Sequence, residues 1–365
     1  MARETTKIQI EPKILRSLRE SSGYSIEDIA KKIKMAPHEL EKAESTQLPL
    51  TLMQIKKLAD IYHRPLASFF TDKPPRIPVV PDHRINRDKR LTPEVFLAER
   101  RAYYLVSKIL EISDKRSKIP NYPESLNAIE LSREFRNYLK IELIKYKKPT
   151  EFLSYYKEVI ERNLLVLIIE YPIKAEDVRA FSIFSDLSVI VLNEDDHPKI
   201  KLFSLFHEIC HLLKKTSGIC SIEMDEQNQG IESFCNLFSA EFLVPAEDIR
   251  KELSNLVIDS ESISKSISRL SDIYGVSKQV VMLRLLSLGY IDLPTYRKFK
   301  EGYEEKLIKG RGGFGRRNWV KIFLNRVGNL TIQEVTNAYK KGDITFYEAS
   351  NILNLKPKYV EKFIG

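Results

Sequence analysis

Cysteine is scarce in this chain and cannot pair off completely: only Cys210, Cys220 and Cys235 occur in 365 residues. An odd number without framework spacing excludes a disulfide scaffold and fits a reducing cytosol. Long hydrophobic runs are missing as well. The most apolar stretch, residues 164–169, has the length of a strand and is far too short to span a bilayer. The opening residues, MARETTKIQIEP, hold no apolar block, so no secretion signal is expected. Neither a repeat nor a low-complexity tail is evident. What remains is 43% hydrophobic and 30% charged, an ordinary globular composition over a length that suits two or three domains.

Negative charge is in deficit, with a formal balance of +9, but the excess is not spread evenly. Residues 12–72 hold ten Lys/Arg against eight Asp/Glu, whereas residues 291–365 hold fifteen against eight. A basic excess is the electrostatic signature of nucleic-acid contact. Here it sits at the opposite end from the segment that most resembles a DNA-binding module.

Four zones separate by pattern. Residues 1–72 show helical periodicity, and residues 73–93 (KPPRIPVVPDHRINRDKRLTP) are crowded with proline and charge and read as a linker. Residues 94–300 begin with charged amphipathic helices, broken at IPNYPES. Three short β-branched runs follow, at 164–171, 180–184 and 187–193, and read as strands. From Lys199 onward the pattern is helical, apart from the loop KGRGGFGRR at 309–317, and residues 301–365 form a basic C-terminal helical domain. The expected class is therefore α+β and mostly helical.

Chemistry concentrates in KLFSLFHEICHLLKK, residues 201–215. Its apolar positions make it a largely buried helix. His207 and His211 are four apart, hence about 40° apart around a helix that turns ~100° per residue, and both can reach one metal ion. Glu208 points elsewhere and is suited to take a proton from water beside that ion. A catalytic site uses three protein ligands and keeps one position open. The segment ESFCNLFSAEFLVP offers Glu232 as the third, with Asn236 one turn later to hydrogen-bond a ligand. Glu223, Asp225 and Glu226 are rivals in a polar stretch that reads as a loop. The bland alternative is a pair of core histidines satisfied by hydrogen bonds.

Strand–strand–HExxH helix–second helix ending in AEFLVP resembles the ImmA/IrrE family of metallopeptidases over roughly residues 150–290. Glu232, Cys235, Asn236, Phe238, Ala240, Glu241, Phe242, Leu243 and Pro245 match its second helix, and IYGVSKQVVMLRLLSLGYID extends the match. The resemblance implies zinc, a zincin-like domain with a small sheet and a thermolysin-like helix pair, and a protein substrate. This chain departs from it with Cys210 inside the motif and Cys235 where alanine is usual. Neither change removes a ligand. The strands before the helix are expected to present an edge to which substrate backbone adds.

The N-terminal zone, ILRSLRESSGYSIEDIAKKIKMAPHELEKAES and the segment after it, resembles a Cro-like (XRE) helix-turn-helix module, expected to be all-α. Gly23 suits a turn and Ser25 a helix N-cap. The third helix, which should meet base edges, carries Glu39, Glu41 and Glu44, and these oppose a phosphate field. DNA reading and docking of a protein partner both stay open. At the other end, Lys309, Arg311, Arg316 and Arg317 with Phe314 and Trp319 could hold single-stranded nucleic acid by charge and stacking, against the bland reading of a solvated loop. Residues 344–363 read as a further helix–turn–helix, either a sensor or a cap on the peptidase core.

Among the thiols, Cys210 and Cys235 read as small buried packing, while Cys220, in the loop between them, could reach the open metal position as a regulatory latch. The leading expectation is a cytosolic zinc endopeptidase that cleaves a repressor or antitoxin partner in a stress or phage-defence response. The runner-up is a DNA-binding regulator or antitoxin whose peptidase fold serves sensing or dimerisation. Hydrolysis of a non-peptide substrate is a third reading.

Overall fold

The structure, a computed structural model, describes residues 7–46, 48–73, 92–174, 178–216, 218–220, 230–254, 263–299 and 319–364, with the backbone alone at 218–220, 263 and 364. The chain divides into two compact units, residues 1–80, 85–103 and 173–175 in one and the remainder in the other. The class is α+β and mostly helical, with small sheets, as the pattern of periodicities implies.

The first unit contains β1 (Lys7–Ile8), α1 (Pro12–Glu20), α2 (Ile26–Ile33), α3 (Pro37–Thr46), β2 (Leu50–Thr51), α4 (Leu52–Tyr62) and a 3-10 turn at Leu66–Phe70. Ser25 caps α2 by accepting the Asp28 N–H, and Thr51 with Gln54 forms a reciprocal capping box at α4. Ile14, Leu18, Ile29, Leu40, Ile55 and Leu58 close around one core. The all-helical expectation needs one correction: β1 and β2 pair antiparallel, Lys7 with Thr51 and Ile8 with Leu50. Glu44 does not face solvent either. Its carboxylate takes two hydrogen bonds from the Arg19 guanidinium, at 2.8 and 2.9 Å, and the pair is buried. Of the three glutamates on α3, only Glu39 and Glu41 remain exposed to oppose a phosphate.

The helix α5 (Pro93–Ile112) runs on into the second unit, which continues with α6 (Ala128–Leu139), α7 (Pro149–Leu164), β3 (Leu167–Tyr171), β4 (Ala180–Ile183), β5 (Val189–Asn193), α8 (Pro198–Leu213), β6 (Gly218–Cys220) and α9 (Ile231–Leu243). Then come α10 (Ala246–Ser254), α11 (Ile263–Tyr274), α12 (Lys278–Ser287), a short helix α13 at 293–299, α14 (Trp319–Val327), α15 (Asn329–Lys341), α16 (Phe346–Leu353) and α17 (Pro357–Ile364). The sheet order is β3-β5-β4-β6, with β3 parallel to β5 and the other pairs antiparallel.

Two expectations change here. The apolar run from Leu164 is not one strand, because α7 ends at Leu164 and Leu165 turns left-handed at φ 51° before the strand begins. Second, the helical pattern expected after the metal helix is interrupted by β6, which pairs with β4, so neither edge of β4 is free to accept a peptide. A three-residue strand has too short a period to be read.

α8 is the central element. It starts behind His197, whose ring accepts the Lys199 N–H, with Pro198 in the first turn. Residues 201–213 of it are all buried, so this helix has neighbours on every side. It lies between β4 and β5 on one face and α7 and α9 on the other. Phe206 stacks on Phe242 of α9 at 4.1 Å between centroids and meets Tyr156 of α7 edge-on at 5.1 Å.

The C-terminal helices cover the other sheet edge. Gly328, at φ +82°, lies where a β-carbon would come within 2.8 Å of Leu167 and 2.9 Å of the Ile168 carbonyl. Arg326 binds the Glu194 carboxylate, and Lys201 of α8 donates to the Glu194 carbonyl at 2.8 Å. Glu170 on β3 is buried between Lys157 (3.1 Å) and Lys201 (2.6 Å). Residues 319–364 thus pack on the same body as the metal helix. The basic loop residues Lys309, Arg311, Arg316 and Arg317 lie outside the described residues.

Candidate metal centre

Two helices bring the polar groups together. α8 contributes His207, Glu208 and His211, all buried, and α9 contributes Glu232 in its first turn and Asn236 one turn on. The Nε2 atoms of His207 and His211 are 3.2 Å apart. The Glu232 carboxylate bridges them, with Oε2 at 3.1 Å from His207 and Oε1 at 3.3 Å from His211. For ligands at ~2.0–2.1 Å from a tetrahedral ion the ligand–ligand separation is about 3.4 Å. The three groups are therefore spaced as a shared cation requires.

The opposite ring nitrogens are fixed. Asn236 Oδ1 is 2.9 Å from His207 Nδ1, and Thr216 Oγ1 is 3.1 Å from His211 Nδ1. The Thr216 hydroxyl gives its own proton to the His211 carbonyl, so toward the ring it accepts. A neutral ring whose Nδ1 proton is engaged in this way would leave its Nε2 free for a cation. Sequence reasoning found Asn236 from its spacing but missed Thr216, which stands just past the helix end where no periodicity applies.

Glu208 is fully buried, and neither carboxylate oxygen has a hydrogen-bond partner of normal geometry. Burial pushes its carboxyl above the usual range, against the pull of the His211 and His207 rings and the nearby Ser182 hydroxyl. A buried carboxylate with no hydrogen bond of normal geometry, next in sequence to one imidazole and one turn from another, fits a cation and its water. Burial works against ionisation of Glu232, but hydrogen bonds from His207 and His211 hold its carboxyl down to about 2. His211 is pushed up to about 11, its burial outweighed by Cys235 and Glu232.

The donor set extends further than the sequence suggested. The Cys235 sulfur, one turn from Glu232, lies within 4.8 Å of the ligand atoms of His207 and His211. Cys210 is buried and touches Cys235. Of the expected rivals, Glu223, Asp225 and Glu226 lie outside the described residues, as does the side chain of Cys220.

Around the centre, Glu241 and Arg284 form a buried ion pair that joins α9 to α12, and Arg284 Nε also donates to the Val244 carbonyl at 2.9 Å. Arg136 of α6 donates to the Phe242 carbonyl and lies over the Phe242 ring. These contacts hold the end of α9 and so the register of Glu232 against α8.

Residues 162–286 match the family model described as the IrrE N-terminal-like domain, a peptidase family. That span includes β3 to β6 and the whole of α8 and α9, so the metallopeptidase part of the resemblance is supported there and the N-terminal helices fall outside it. No curated protein and no solved structure gives a match.

Proposed function

We propose that this chain is a zinc-dependent endopeptidase of the ImmA/IrrE kind that cleaves a partner regulatory protein, a repressor or antitoxin, in the cytosol during a stress or phage-defence response. One observation carries the reading: the Nε2 atoms of His207 and His211 and the Glu232 carboxylate meet within 3.1–3.3 Å, next to the unpartnered Glu208 carboxylate. Among the described residues no helix is long and apolar enough to cross a membrane.

His207, His211 and Glu232 would hold the ion, and nitrogen with carboxylate donors suits zinc. The bound cation supplies a Lewis acid that polarises a peptide carbonyl and acidifies water. Glu208 takes the proton from water at its carboxylate as the carbonyl is attacked, a task that burial favours by raising its basicity. The same oxygen then returns the proton to the leaving amine nitrogen, so Glu208 ends as it began. Asn236 and Thr216 keep the two rings in the tautomer that leaves Nε2 free.

The N-terminal unit supports a second role. Its resemblance to a Cro-like helix-turn-helix, with Glu44 neutralised inside by Arg19, favours DNA contact more than the sequence alone allowed. In that reading the chain is a DNA-binding regulator and the peptidase fold a sensor. Co-expression with the product of a neighbouring reading frame separates the two. Cleavage of that product, lost on Glu208→Gln, supports proteolysis; a regulatory output that survives Glu208→Gln supports the sensor.

A further inference from the structure

We propose that the metal centre has a fourth protein ligand, the Cys235 thiolate, so that at rest it is a closed His207–His211–Glu232–Cys235 site. The inference rests on the metallopeptidase reading above and concerns the position that such a site normally keeps open.

Glu232 and Cys235 are three residues apart on α9 and share the face turned to α8. Cys235 is fully buried, and its sulfur is within 4.8 Å of the ligand atoms of both histidines. It also lies in hydrogen-bonding reach of the His211 ring. Sulfur and nitrogen on one tetrahedral zinc stand about 3.6 Å apart, given ~2.3 Å for the Zn–S bond, so closing the set asks the sulfur to move in toward the rings.

Ligation breaks the Cys235 S–H bond. The proton leaves to bulk water, and the sulfur electron pair goes to the metal. Two nitrogens, one carboxylate and one thiolate leave no vacant position, as in structural zinc sites. The centre must then shed the thiolate before a substrate carbonyl can bind. Cys210 touches Cys235 from α8 and is the control thiol, close to the centre but outside the proposed set.

The test is metal spectroscopy on the full chain. With zinc loaded, X-ray absorption should show one sulfur among the ligands. With cobalt(II) loaded, a near-ultraviolet thiolate-to-cobalt band should appear, vanish in Cys235→Ala and persist in Cys210→Ala. Zinc affinity in Cys235→Ala should fall at least about tenfold, since even an outer-shell partner is worth that much. Zinc bound with only nitrogen and oxygen ligands, and with equal affinity in Cys235→Ala, would overturn the fourth ligand and leave the metallopeptidase reading standing. A wild-type chain that binds no metal would overturn both. Circular dichroism of each variant separates a lost ligand from a lost fold.

Discussion

Asn236 Oδ1 accepts the His207 Nδ1 proton at 2.9 Å, from one turn beyond the glutamate that meets the other nitrogen of the same ring. The contact decides which nitrogen of His207 is free for a metal. Asn236→Ala should therefore weaken zinc binding by about 10- to 100-fold, while Asn236→Asp, which keeps the acceptor, should hold it near wild type. Competition with a chromophoric chelator reads the difference, and equal weakening in both variants would mean that the contact merely fills space.

Glu208 carries two buried oxygens without partners. Glu208→Gln should retain zinc and lower cleavage by about 10²- to 10⁴-fold, the usual worth of a positioned general base. It should also raise the melting temperature of chelator-stripped protein at neutral pH, because it removes a charge that burial disfavours. A lower melting temperature would show that the carboxylate is satisfied in the folded chain.

The Glu241–Arg284 pair is sealed, with both side chains almost wholly out of solvent. Arg284→Ala leaves the buried carboxylate with only Arg133 at 3.8 Å and the Ala246 N–H at 3.4 Å, and should cost about 3 kcal/mol in urea unfolding. The double change Arg284→Met with Glu241→Leu should cost much less. Because the pair anchors the end of α9, the single variant should also lose zinc affinity.

Glu161 on α7 accepts a hydrogen bond from Asn329 of α15 at 3.1 Å, and burial raises its carboxyl to about 7, against the pull of Lys157. A carboxyl raised on folding makes the native state the better proton binder. Its contribution to stability is thus present at low pH and lost as pH climbs from the unfolded value near 4.5 through about 7. Relative to wild type, Glu161→Gln should be more stable at pH 8 than at pH 5 by on the order of 2–3 kcal/mol. A difference independent of pH would place the ionisation elsewhere.

How much of this was legible beforehand depends on the range of each interaction. The histidine pair could be read because a helix repeats every 3.6 residues and the surrounding residues are apolar. Glu232 and Asn236 could be read from the same geometry on the next helix. Thr216 could not, since it acts past a helix end, and the approach of Cys235 to the rings depends on how two helices cross. The pairing of Arg19 with Glu44 spans 25 residues and reverses the meaning of one charge on α3. β6 is too short for its alternation to register, and the break at Leu165 follows from one residue's backbone turn inside an unbroken apolar run.

The most direct test of a metal-dependent peptidase here is cleavage of a denatured-protein peptide library by the zinc-loaded full chain, with new termini read by mass spectrometry and metal content measured on the same samples. The account expects one zinc per chain, cleavage abolished by chelation and restored by zinc, and a Glu208→Gln protein that keeps its zinc and cuts nothing. Cleavage undiminished in Glu208→Gln, or zinc content unchanged when His207 and His211 are both replaced by alanine, would contradict it.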